Sequence, residues 1–252
     1  GGFMIQSVKK AMDILTVLSA TPEVPIPLGE LAERTNINKS TCAHIVDTLC
    51  ESFYVERVSR KDGYRLGPWA YMLSRYGHYK NSLVNLSKPV LKWLHNNSDA
   101  SVFISVICNG KKYIVYHIDS VNLLPMSDGN IIQGYLETTA SGLLHMANMD
   151  KEALIHTLNR RKRAGEAGIT TITPQFLKFL NGIRTNGYCF YSPNDPTICS
   201  HAFAVNNGNK VVAALGIVYS SEKDSDSYHS KIYRLGHIAA SELSRRLSQS
   251  QA

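Results

Sequence analysis

The chain has 252 residues, 44% of them apolar and 19% charged, which is long enough for a small module joined to a medium one and too apolar for extended disorder. No apolar run nears the roughly 20 residues of a bilayer span and no leader-like run opens the chain, so a cytoplasmic, non-membrane protein is expected, with Gly1-Gly2-Phe3 read as a remnant ahead of the native start. Five cysteines, an odd number without a C-x-x-C pair, indicate neither a disulfide framework nor a zinc knuckle, and the net charge of +7 is not concentrated at the front, where residues 1–80 hold ten Lys and Arg against eight Asp and Glu.

From Ser7, the residues Val8, Ala11, Met12, Leu15 and Leu18 recur at helical spacing and predict an amphipathic helix ending before Thr21-Pro22. Pro27 to Arg34 reads as a short second helix with Pro27 in its first turn. After Thr35-Asn36-Ile37, Asn38 is the expected N-cap of a third helix, whose Cys42, Ile45, Val46 and Leu49 face a core. Its outer face carries Ser40, His44 and Asp47, flanked by Thr41, Ala43 and Thr48, with Lys39 at the positive end. Short polar side chains of this kind can approach a major groove and phosphates closely. Tyr54 to Val58 and Tyr64 to Leu66 alternate around a turn with Asp62-Gly63, predicting a hairpin that carries Arg57, Arg60 and Lys61. Three helices followed by a basic hairpin amount to a winged helix-turn-helix.

Pro68 to Lys80 keeps Trp69, Met72, Leu73 and Tyr76 on one seam, as a linking and dimerising helix would. Beyond it, Val90, Leu91 and Leu94 mark a helix, and Val102 to Ile107 with Tyr113 to Ile118 form a hairpin around Asn109-Gly110. Helices are expected over Ser141 to Ala147, Lys151 to Arg161 and Pro174 to Thr185. A second hairpin joins His201 to Val205 with Val211 to Val218, and Tyr228 to Leu247 closes the chain as a helix. The fold class is therefore α+β. Its expected divisions are a winged helix-turn-helix over 1–67, a linker helix over 68–82, and over 83–252 a domain with an antiparallel sheet and flanking helices.

Ser7-Val8-Lys9-Lys10-Ala11, Leu28-x-x-Leu31-Ala32, Ile37-Asn38-Lys39-Ser40-Thr41, Thr48-Leu49 and Tyr64-Arg65-Leu66-Gly67 together resemble the IclR family of bacterial transcriptional regulators. Shorter motifs extend the resemblance: Thr139 to Leu144, Ile169 to Thr173, Ile183-Arg184-x-x-Gly187-Tyr188 and Ala213 to Ile217. The resemblance implies a GAF-like C-terminal effector domain, a homodimer or dimer of dimers, operator DNA as partner and a small organic or aromatic acid as effector, with repression more expected than activation; no cofactor and no metal are expected, because the sequence has no H-E-x-x-H, no phosphate-binding Gly-rich loop and no metal-spaced His/Cys cluster.

Its DNA contacts would be Lys39, Ser40, Thr41, His44, Thr48, Arg57, Arg60 and Lys61. Carried over by position, the effector-facing residues would be Met126, Thr139, Ala140, Tyr191, Cys199, Gly216 and Val218. The sequence departs from the family pattern at His44, where Arg is usual, and at Tyr191 to Asp195, which replaces an acidic motif. Gly216 and Val218 stand where hydroxyl side chains are common on the last strand. The polar clamp is thus depleted, which favours a larger apolar or aromatic effector.

Other function classes find little support. Cys199-Ser200-His201 puts a thiol and an imidazole on one strand face, as a nucleophile or redox sensor requires, although a packed thiol explains the same pattern. A protein-interaction module is the other alternative. The run Arg160 to Arg163 ends a predicted helix, where positive charge suits the helix dipole.

Overall fold

The computed structural model describes residues 4–59, 61–73, 80–121, 132–133, 136–163, 168–169, 171–192 and 197–250, the side chains at 132, 133 and 161 excepted. Met126 and Arg60, and Tyr76 of the expected seam, lie outside the described residues. The chain divides into two compact units, Gly1–His78 and Tyr79–Ala252.

The first unit is built from α1 (Gln6–Ser19), α2 (Leu28–Arg34), α3 (Lys39–Glu51), β1 (Val55–Ser59), β2 (Gly63–Leu66) and α4 (Pro68–Met72). Ile14 and Leu18 of α1, Leu31 of α2 and Cys42, Val46 and Leu49 of α3 form its core with Ile26, Ile37, Val55 and Tyr64. The buried stripe of α1 is rotated from the expected one. Ile14 is fully buried, whereas Val8 and Met12 are 51% and 55% exposed, because Ala11, Ile14, Leu15 and Leu18 complete the stripe that meets α3. Asn36, at φ 52°, reverses the chain between α2 and α3, and Ile37 donates its N–H back to the Ala32 carbonyl at 2.9 Å. Strands β1 and β2 pair antiparallel, and Ile26 bridges to Tyr64 on the far side of β2. Gly63, at φ 100°, lies against that crossing: a β-carbon there would come within 2.2 Å of the Ile26 carbonyl oxygen.

The second unit holds a six-stranded antiparallel sheet. Its elements are α5 (Asn81–Ser98), β3 (Ser101–Cys108), β4 (Lys111–Ile118), β5 (Ile132–Gln133), α6 (Ala140–Asn148), α7 (Lys151–Arg163), α8 (Pro174–Asn186), β6 (Tyr188–Tyr191), β7 (Ile198–Asn207), β8 (Lys210–Ser220) and α9 (Asp226–Gln249). The strand order is β5-β4-β3-β8-β7-β6. Asn109 and Gly110, at φ 50° and 69°, make the primed turn that the twist of the β3–β4 hairpin requires. Helices α5 and α9 cover one face, over Val102, Ile104, Val106, Phe203, Val205, Leu215 and Ile217. Helices α6, α7 and α8 cover the other, over Cys189, Ala202 and Ala214. Strand β6, absent from the sequence expectation, follows directly from Gly187, which ends α8 at φ 62°.

Candidate functional site

Two surfaces concern the expected function, one on each unit. On the first, Asn38 caps α3, its Oδ1 accepting from the Thr41 N–H at 2.8 Å. With Cys42, Val46 and Leu49 turned inward, Lys39, Ser40, His44, Asp47 and Thr48 are exposed and Thr41 half-buried. The outer face is therefore a short-chained, polar strip leading from a positive helix end. The hydroxyl of Thr48 donates to the His44 carbonyl at 3.0 Å.

Arg57 of β1 joins the hairpin to this helix. Its Nε donates to the Tyr64 hydroxyl at 3.1 Å, its Nη2 reaches Asp47 of α3 at 3.3 Å, and its guanidinium lies over the Tyr64 ring at 5.1 Å. The hydrogen bond to Tyr64 holds the Arg57 pKa above its already high value. At the hairpin tip, Ser59 Oγ donates to Asp62 at 2.7 Å and accepts the N–H of Asp62 at 2.8 Å, leaving Lys61 exposed. Arg57 is thus spoken for within the fold, whereas Lys39 at the start of α3 and Lys61 at the hairpin tip are exposed.

On the second unit, register puts the expected effector residues on two different sheet faces. Val218 pairs with Ser200 and Ser101, Gly216 with Ala202 and Phe103, and Tyr191 with Ser200. Gly216, Val218 and Tyr191 share the α6 face with Ala202 and Ala214. Thr139 and Ala140 begin α6 on that side, Thr139 Oγ1 accepting the Gly142 N–H at 3.1 Å. Cys199 pairs with Tyr219 and is packed on the α9 face. It shares that face with His201, as alternation requires, but burial pushes the Cys199 thiol up from its ordinary value and holds His201 down to about 3. A buried thiol beside a neutral imidazole is the reverse of an activated pair.

The ring of Phe103 fills the space over Gly216, where a side chain on the last strand would project. The polar groups of this face lie elsewhere. Lys112 of β4, 1% exposed, donates through Nζ to Thr139 Oγ1 and to Ser141 Oγ, both at 3.0 Å. Ser105 of β3 meets His145 Nε2 of α6 at 3.1 Å. Burial draws the Lys112 pKa down to about 7 and, with the help of Lys112, that of His145 to about 3. Sequence reasoning passed over Lys112, Ser141, Ser105 and His145, although strand alternation puts Lys112 in phase with the buried Ile114.

On the opposite face, His201 Nδ1 lies 2.9 Å from the Tyr188 hydroxyl and Nε2 lies 3.0 Å from that of Tyr219, which donates to Asp224 at 2.9 Å. Among the described residues no group of three His, Cys, Asp or Glu could hold a metal, and no helix is long and apolar enough to cross a membrane.

Comparison with known proteins matches both units. The family model of the IclR helix-turn-helix domain covers residues 7–59, and that of the bacterial transcriptional regulator IclR C-terminal region covers 79–245. The chain is 28% identical over 150 residues to the HTH-type transcriptional regulator TtgV of Pseudomonas putida, a match spanning 60% of this chain and 57% of that protein. It is 24% identical over 191 residues to the transcriptional repressor IclR of Escherichia coli, spanning 74% of this chain and 69% of that one. Two solved structures share the fold. An IclR homolog from Microbacterium hydrocarbonoxydans, complexed with 4-hydroxybenzoate, superposes with a TM-score of 0.75 at 14% identity over 96% of this chain and 98% of its own. An IclR transcriptional regulator from Alicyclobacillus acidocaldarius superposes with a TM-score of 0.73 at 19% identity over 97% and 100%. These families are transcriptional regulators, not enzymes, and with a capped helix-turn-helix at one end and the matching sheet domain at the other, the chain belongs to the IclR family of bacterial transcriptional regulators.

Proposed function

We propose that the protein is a sequence-specific repressor whose hold on operator DNA is controlled by a small organic or aromatic acid. Residues 1–67 bind DNA, 68–82 link, and 83–252 sense the effector; the protein works in the cytoplasm at the nucleoid as a homodimer or dimer of dimers. The observation that carries the DNA part is the outer face of α3: a capped, positive N-terminus followed by Ser40, Thr41, His44 and Thr48, with Lys61 on the wing beside it. Arg57 and Arg60 complete the proposed contacts.

Two such helices on a two-fold axis, about 34–36 Å apart, read a pseudo-palindrome that one helix could not specify. Exposed Trp69, Met72 and Leu73 on and just after α4 offer apolar surface for pairing. Repression is favoured by two similar curated proteins described as repressors, IclR and the acetate operon repressor of Salmonella typhimurium, and an aromatic acid by the 4-hydroxybenzoate held in the Microbacterium structure. The effector would lie on the α6 face of the sheet, near Thr139, Ala140, Tyr191, Gly216 and Val218, with Met126 contributed from outside the described residues. Cys199, on the other face, would act through packing.

A mobility shift on the DNA flanking the gene tests the proposal, with random competitor, a salt series and the Lys39→Ala/His44→Ala variant. A competitor-resistant band lost in the variant supports it. A genome-wide fragment selection that yields no specific site refutes it.

A further inference from the structure

We propose that Asp47 of α3 reads one cytosine in each half of the operator, accepting a hydrogen bond from the cytosine amino group in the major groove. The inference rests on the DNA reading above and adds a specificity-determining residue and the base it selects. Asp47 lies on the outer face of α3, one turn beyond His44. Helical rise sets it about 10 Å along the axis from Ser40, the height of about three base pairs. Its side chain is 58% exposed.

Lys39, Ser40, Thr41 and His44 on the same face can all donate to phosphates or to base acceptors, whereas a carboxylate only accepts. On a surface turned toward phosphates, an acceptor-only anion weakens binding to every sequence unless a base offers it a hydrogen.

Carboxylates elsewhere in the first unit are closely matched. Asp13 takes Lys9 at 2.5 Å, Glu30 pairs with Arg34, Glu56 pairs with Arg65, and Asp62 accepts from Ser59 at 2.7 Å. Among the described residues the one cation at Asp47 is Arg57, whose Nη2 stands 3.3 Å from Oδ1. A full charge-assisted bond is shorter, about 2.7–2.9 Å. Arg57 is held back by Tyr64, to whose hydroxyl Nε and Nη2 both donate and over whose ring the guanidinium lies. The pair therefore steers the carboxylate and offsets part of its charge, and Oδ2 is left to accept from outside the fold.

The chemistry of the groove chooses the base. Guanine presents two acceptors there and thymine one, which repel a carboxylate. Adenine sets its amino group beside the N7 acceptor, whereas cytosine presents an amino donor alone. Glu51, the other carboxylate of α3, is its last residue, at the end away from the bases.

The test selects sites from a randomised duplex library with the full chain, then measures affinity for all four base pairs at each position of the selected half-site. We expect one position per half-site where the unaltered protein prefers cytosine by about fivefold or more. At that position alone, Asp47→Ala should reduce the preference to about twofold or less. Asp47→Asn, which sets a donor beside an acceptor, should turn it toward adenine. Both variants should bind random DNA more tightly, a negative charge being gone, and should melt close to the unaltered protein, because an exposed ion pair adds little to stability. Unchanged base preferences in Asp47→Ala overturn the inference. So does an equal loss at every position, which would reduce Asp47 to a support for Arg57 and the hairpin. A selected site without a preferred cytosine in the unaltered protein overturns it with no variant needed and leaves the DNA reading standing. No selected site at all refutes both.

Discussion

The ring of Phe103 lies directly over Gly216 on the neighbouring strand, so close that a β-carbon at 216 would fall 2.1 Å from the ring's Cζ. The two residues are therefore one packing unit. Gly216→Ser, which restores the hydroxyl common in the family, is expected to destabilise the protein by about 1–3 kcal/mol through overpacking. In the Phe103→Leu background the same change should cost less, and a double-mutant cycle on urea midpoints measures the difference. Equal costs in both backgrounds would show that the ring moves aside freely.

On the DNA surface, charge and hydrogen bonding should separate. Lys39→Ala and Lys61→Ala are each expected to weaken binding to all sequences and to lower the slope of log K against log salt by about one. His44→Ala should instead alter the ranking of operator variants at fixed salt. Arg57→Ala should also loosen the hairpin, since Arg57 bonds both Tyr64 and Asp47, so its loss of affinity should come with a lower melting temperature.

Acid should unfold the second unit by charging its buried imidazoles. His145 and His201 are both held down to about 3 by burial, so the unfolded chain takes up their protons first as pH falls through 6.5. Their contribution is intact above pH 6.5 and is lost progressively as pH drops toward 3. His145→Gln, which keeps a hydrogen-bonding group for Ser105, should flatten the fall in stability between pH 6 and 4 by about one proton, or about 1.4 kcal/mol per pH unit. Urea titrations at several pH values give the slope, and an unchanged slope would place the acid sensitivity elsewhere.

Thiol chemistry should follow burial. Cys199 is 1% exposed and its pKa is raised, whereas Cys108 is only half-buried. Iodoacetamide is expected to label Cys108 well before Cys199, with labelling of Cys199 tracking global unfolding. Rapid, selective modification of Cys199 in the folded protein would revive the redox reading.

What could be read from the sequence is what neighbours along the chain decide. Asn38 precedes a helical stripe, and it caps α3; Asn109-Gly110 separates two β-branched runs, and both residues take the positive φ of a tight turn. The rotated stripe of α1 was ambiguous because Val8 and Met12 lie beside the true seam, and only contact with α3 chooses among apolar neighbours. Strand β6 was too short to show a pattern and follows a helix cap without a loop. The Lys112, Thr139 and Ser141 contacts span 27 and 29 residues, and that between Ser105 and His145 spans 40, so no local spacing announces them. By its position in the family pattern Cys199 would face the effector, whereas strand parity turns it to the α9 face.

The chain of contacts through His201 can be written with its protons in a single direction. Tyr219 gives its hydrogen to Asp224, so its oxygen must receive one from His201 Nε2; Nδ1 is then bare and takes the hydrogen of Tyr188. A carboxylate on the far side of one tyrosine thereby selects one tautomer of an imidazole it does not hydrogen-bond. Replacing Asp224 by a group that donates would turn every bond in the row around, and the hydroxyl of Tyr188, whose ring meets that of Tyr233 edge-on, would have to find another acceptor.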